Sequence, residues 1–257
     1  MITCIRTERS VGAPVRLDVR GGPLRAMVLD TGPASARVAL VAQTALLLAG
    51  DDVHIDIEVG AGVYLEVVEP SGTVAYDMRG GSAAWSVRVM VGPGGRLVWG
   101  GEPFVVSEGA RVRRRLDVSL DATGSVLLRE TLVLGRSGER LGRLTSETQV
   151  RDATGPILVE ELDLSPASQV GGVLGRHSVL ETVLALGVVP PVVAVESRML
   201  LDRGGGLWRR LGPSAHEASL HAVWDEVTRA GRPAAAGATD RDRPLPARSL
   251  SWPHRSA

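Results

Sequence analysis

Near the ends of four strand-like segments, about thirty residues apart, stand Glu69, Glu102, Glu130 and the adjacent Glu160 and Glu161. Carboxylates are hard, weakly selective metal ligands. A line of them suits a divalent cation that is passed along rather than kept, and the lack of thiolate clusters fits passage better than storage. Strand-end carboxylates are also ordinary solvated surface, so this chemistry requires stacked units that turn some of them onto a common inner line. A second chemistry is open to the same acids: two carboxyls about 5 Å apart in an open cleft make a retaining glycosidase pair. Aromatics are only 3% of the chain, which argues against a sugar platform. Asp51 follows a glycine in a turn, where Asp commonly serves the local backbone. Glu139 closes a dense polar stretch that begins at Glu130, and Arg136 between them can pair with either.

Other chemistries are excluded by what is missing. The sequence has no Gly-x-Ser-x-Gly, no Cys-His pair with context and no Walker loop. Every basic residue is Arg, so a Schiff-base or phosphate-loop lysine is ruled out. Gly92-Pro93-Gly94-Gly95 leads from one strand into another, so no helix dipole stands behind it and it reads as a turn. None of His54, His177, His216, His221 and His254 are spaced i, i+4 as a helical metal pair requires. Basic and acidic residues balance at 29 each, which removes the net field that nucleic acid would need. The run Arg111 to Arg115 reads as an exposed strand face. One cysteine, Cys4, gives neither a disulfide framework nor a zinc ribbon. No secretory h-region or bilayer-length apolar run is evident, so a cytoplasmic protein without a membrane partner is expected.

The elements that must position these acids form a repeat. HIDIEVGAGVYLEVVE from His54, SVRVMVGPGGRLVWGGE from Ser86, RLDVSLDATGSVLLRE from Arg115 and TQVRDATGPILVEE from Thr148 each read strand, Gly-centred turn, strand. A fixed period of this size means one supersecondary unit laid beside its copies. Val53, Ile55, Ile57 and Val59 alternate with polar residues, the pattern of a half-buried antiparallel strand that Gly60-Ala61-Gly62 turns back into Val63 to Val68. Asp-Ala-Thr-Gly occurs twice, at Asp121 to Gly124 and Asp152 to Gly155, and suits short hairpin loops. The expectation is an all-β fold: mainly antiparallel strands, stacked hairpin repeats in a two-sheet sandwich-like or helical β arrangement, and one or two helices near the C-terminus. Gln169 to Leu186 fits either a strand pair or a short helix. Val192 to Leu201 and Leu207 to Leu211 read as strands. Ser214 to Arg229 reads as the best helix, with Ser214 and Glu217 as its capping box. Residues 1–230 form one β domain on this reading, and 231–257 a disordered tail.

Taken in order, these residues resemble the UreD (also UreH) family of urease accessory proteins. The resemblance runs from Gly32-Pro33 and Arg37-Val38 through Ala49-Gly50-Asp51 and the Gly-Ala-Gly turn. It continues through Leu97-Val98-Trp99, Glu102-Pro103, Glu108-Gly109-Ala110 and Glu130 to Glu139, and closes at Val159 to Leu164. It covers roughly 24–230. Three departures are visible: Ala49 in place of the family's first glycine, Val68 to Thr73 in place of a Thr/Gln-rich stretch, and Val74 to Asp77 where a lysine is usual. The resemblance implies a non-enzymatic scaffold that binds urease apoprotein on one side and the UreF–UreG complex on the other, with two copies of each partner in the assembly. No cofactor would be held permanently. Nickel released by the GTPase UreG would pass through an internal polar channel as transient Ni2+. By motif position Asp51 and Glu160 would line or gate that path, followed by Glu102, Glu130 and Glu139. The rival within this reading is a docking scaffold through which no nickel travels.

Overall fold

A computed structural model describes residues 2–169, 174–188, 198–201 and 204–232. The chain runs β1 (Ile2–Glu8), β2 (Arg16–Arg20), β3 (Leu24–Thr31), β4 (Ser35–Ala42), β5 (Asp52–Val59), β6 (Tyr64–Val68), β7 (Thr73–Ala75), β8 (Ala83–Val91) and β9 (Arg96–Gly100). It continues with β10 (Phe104–Val106), β11 (Arg111–Leu120), β12 (Ser125–Leu134), β13 (Arg143–Asp152), β14 (Gly155–Leu164), β15 (Val179–Leu186), β16 (Arg198–Leu200), β17 (Gly206–Gly212) and the helix α1 (His221–Gly231). The all-β, two-sheet expectation holds, with one C-terminal helix among the described residues.

Strand pairing differs from the hairpin reading. One sheet is ordered β14-β13-β11-β8-β5-β1-β2, and the other β16-β17-β15-β12-β9-β6-β4-β3. The two strands of a repeat therefore go to opposite sheets. β5, β8, β11 and β13 lie parallel to one another in the first sheet, and β4, β6, β9 and β12 lie parallel in the second. Each unit is one rung of a flattened coil, and the thirty-residue period is the path once around it. The fourth unit alone folds as a true hairpin, β13 with β14 in the first sheet. The antiparallel reading of Val53 to Val68 is thus corrected. Alternation reports a half-buried strand but is silent on the direction of its neighbours.

Glycine is needed where the turns of successive rungs stack. A Cβ on Gly60 would stand 2.5 Å from the Thr7 carbonyl oxygen, and one on Gly95 would stand 2.9 Å from that of Gly60. Gly62 N–H donates to Pro93 O at 2.8 Å, and Ser125 N–H to Gly95 O at 2.9 Å. The Gly92-Pro93-Gly94-Gly95 segment is thus the middle layer of a column of turns.

Between the sheets the early rungs meet in a dry core. Ile5, Ile55, Leu65, Val38, Val89 and Leu97 are all fully buried there. The outer face of the first sheet is solvated and charged: Asp56 stands across from Arg88, and Arg88 from Asp117. The outer face of the second sheet is apolar where α1 covers it. Val223 and Val227 pack with Val98, Leu127, Val183 and Trp208 in a second, smaller core.

Three expectations near the C-terminus are refined. Val179 to Leu186 is a strand. The Ser214–Glu217 capping contacts form, with Glu217 N–H donating to Ser214 Oγ at 3.3 Å. They close only a single turn, however, and the helix proper begins at His221, so His216 lies outside it. Residues 192–197 of the expected strand, and 233–257 of the expected tail, lie outside the described residues. No helix among the described residues is long and apolar enough to cross a membrane.

Candidate functional site: a carboxylate chamber between the sheets

In the later rungs the space between the sheets changes character. A cavity of about 110 Å³ opens there, and Glu69, Glu102, Glu130 and Glu160 all line it, with Arg114 and Arg209. The positioning follows from strand phase. Glu130 stands between Leu128 and Leu132, both on the cavity wall, and Glu160 stands between Leu158 and Leu162 in the same way. Side chains two apart on a strand share a face. A charged residue in the apolar phase is therefore aimed inward.

Each acid has a distinct neighbour. Glu160 on β14 accepts two hydrogen bonds from Arg209 on β17, at 2.6 and 2.7 Å, and Arg209 Nε donates to Thr182 Oγ1 at 3.3 Å. Glu130 on β12 pairs with Arg114 on β11. The Arg114 guanidinium lies 4.5 Å from the centre of the Phe104 ring, which meets Trp85 edge-on at 5.5 Å. Both ion pairs cross from one sheet to the other. Glu69 accepts from the Trp99 indole at 2.8 Å and from Glu102 N–H at 3.2 Å. Burial pushes its carboxyl above the usual range, and these two donors offset only part of that shift. Glu102 makes no ion pair among the described residues.

Two arginines on the cavity wall point elsewhere. Arg115 turns outward to Asp117 and Glu147. Arg129 reaches toward Glu181 at 3.4 Å and His221 Nδ1 at 3.3 Å, on the helix side of the second sheet. The chamber's own charges are therefore four carboxyls against two guanidiniums, an excess that favours a cation over an anion. Among the described residues no three His, Cys, Asp or Glu side chains converge to hold a metal ion.

Of the five positions singled out from the sequence, the structure brings together Glu102, Glu130 and Glu160. Asp51 does not line the cavity; its carboxylate accepts from Leu48 N–H at 2.7 Å within its own loop. Glu139 is held in the turn after β12 by Arg136, whose Nε donates at 2.8 Å, and this contact settles which acid Arg136 takes. Donation from the Arg136 side chain and backbone brings the Glu139 pKa down to about 2. Glu161 lies opposite Glu147 on the outer face. The sequence reading missed Arg114 and Arg209, and Arg114 corrects the exposed reading of Arg111 to Arg115. Its side chain is only 15% exposed. The signal was present, since Arg114 falls in phase with Val112 and Leu116, and Arg209 with Leu207 and Leu211.

Fold and chamber together define a two-sheet β scaffold of stacked rungs with a charged compartment at one end. The chain belongs to the UreD urease accessory protein family, whose model matches residues 13–250. It is 49% identical over 157 residues to Urease accessory protein UreD 1 of Streptomyces griseus, covering 60% of this chain and 62% of that protein. It is 35% identical over 218 residues to Urease accessory protein UreD of Frankia alni, covering 76% and 70%. A UreD of Parafrankia sp. is 34% identical over 225 residues, covering 86% of this chain and 71% of the relative. The match spans less than two thirds of the Streptomyces protein's length.

Proposed function

We propose that this chain serves urease maturation as a cytoplasmic, non-catalytic scaffold. It binds urease apoprotein together with UreF and UreG, in a complex with two copies of each partner, and Ni2+ crosses the chamber between its sheets on the way to the urease active site. The observation that carries this reading is the placement of Glu69, Glu102, Glu130 and Glu160, from four successive repeat units, around one cavity. Oxygen ligands without a convergent set release a divalent cation readily, which suits transfer. The test is co-expression with the urease subunits and the other accessory proteins, followed by the nickel content of the purified urease. E102Q/E160Q is expected to lower nickel per urease while the accessory complex still assembles. Full nickel content with the variant incorporated would remove the chamber from the route.

A docking scaffold without nickel passage is the second reading. It is favoured by the ion pairs that already occupy Glu130 and Glu160. The same experiment separates the two, because a docking role predicts normal nickel content in every variant that leaves the complex assembled.

A further inference from the structure

We propose that Arg209 and Arg114 are latches that keep divalent cations out of the chamber until they are released. The inference rests on the cation-passage reading and adds its regulation. Arg209 engages both oxygens of Glu160 and sets a fixed positive charge against them, so a cation approaching that carboxylate meets the repulsion of the guanidinium. Arg114 holds Glu130 in the same chamber. An arginine stays charged at every working pH, so the latch is released by movement and not by proton loss.

Each latch also has a second seat that needs no carboxylate. Arg209 keeps its bond to Thr182 Oγ1, and Arg114 keeps its place over the Phe104 ring. A guanidinium displaced from its acid therefore still has a partner. Both pairs tie one sheet to the other, β14 to β17 and β11 to β12. A partner that shifts one sheet against the other draws both latches together. In the closed chamber Glu102 and Glu69 remain without an arginine partner, and Glu69 is occupied by the Trp99 indole.

The experiment is Ni2+ binding to the purified full chain by equilibrium dialysis, with no urease present. Wild type and R209K, which keeps the positive charge, are expected to bind weakly. R209Q is expected to bind at least ~10-fold tighter, about 1.4 kcal/mol. E160Q/R209Q is expected to lose that gain, which assigns it to the freed carboxylate. R114Q, judged against E130Q/R114Q, repeats the test at the second latch and stands if R209Q fails to fold. Wild type binding as tightly as both Gln variants, or R209Q and R114Q binding no tighter than wild type, overturns the proposal. The maturation reading fails separately, by normal nickel content of urease matured with E102Q/E160Q.

Discussion

Glu160 and Arg209 stand on strands of different sheets and share two parallel hydrogen bonds of 2.6 and 2.7 Å. Both side chains are about one-fifth exposed, at 21% and 22%. The pair therefore ties the sheets together where the dry core has given way to polar side chains. E160A leaves Arg209 half-buried with only Thr182, and is expected to cost about 2 kcal/mol in urea denaturation. The double variant E160M/R209L removes both charges at once and is expected to recover most of that loss. A double variant no more stable than E160A would mean that the pair itself holds the sheets.

Glu69 sets a pH dependence of the opposite sign to the common acid case. Its folded pKa lies above the unfolded value of about 4.3, because burial disfavours the anion. The folded state thus binds the extra proton between those two values, and stability falls as pH rises through that window. Above it the penalty is constant. E69Q is expected to be more stable than wild type at neutral pH, with the difference vanishing near pH 4. A difference that does not change with pH would assign the effect to the Trp99 contact alone.

Glu139 behaves in the ordinary way. Arg136 holds its pKa at about 2, so its contribution is complete above the unfolded value and is lost as pH falls toward 2. E139Q is expected to increase amide exchange at Arg136 and Glu108, whose N–H groups donate to this carboxylate at 3.0 and 3.2 Å. The expected increase is large at pH 6 and small near pH 1. Equal exchange at both pH values would contradict the assignment.

Gly100 fixes the seat of α1. A Cβ there would come within 2.9 Å of the Trp224 ring. G100V is expected to lift the start of the helix, raise solvent access to Trp224 and leave the interior chamber in place. Fluorescence quenching and exchange at Val223 and Val227 measure this directly. Unchanged quenching would mean that the helix finds another seat.

Strand positions were legible because buried strands write their phase plainly, as at Val53 to Val59. Pairing direction was not. The two Asp-Ala-Thr-Gly segments show why. Asp121 accepts from Thr123 N–H and Oγ1, and Asp152 accepts identically from Thr154. The glycines differ: Gly155 takes φ +132° and donates to Asp152 Oδ1, whereas Gly124 donates to the Asp121 carbonyl, and the first turn carries the chain from one sheet to the other while the second closes a hairpin. Such a motif specifies its Asp–Thr hydrogen bonds, and the backbone conformation at its glycine goes with where the exit strand leads. The acids of the chamber were legible as a repeat. Their arginines were not, because Arg114 sat in a run of like charges that reads as surface. Asp51, chosen by motif position, is engaged by its own loop in the structure. The Ser214 capping box formed as read, but nothing in it says that the turn will stop before His221.

The interior of the sandwich is apolar at its early rungs and carries charged pairs among its leucines at its late ones, and this grading has a mechanical consequence. Ile55, Ile57 and Leu65 are fully buried and clamp the two sheets at one end like a hinge pin. At the other end Leu128, Leu132, Leu158, Leu162, Leu180 and Leu184 line the gap, with two cross-sheet ion pairs set among them. Parting the late rungs would therefore bare leucine side chains as well as break two ion pairs, so that end stays shut unless another surface takes up the apolar face.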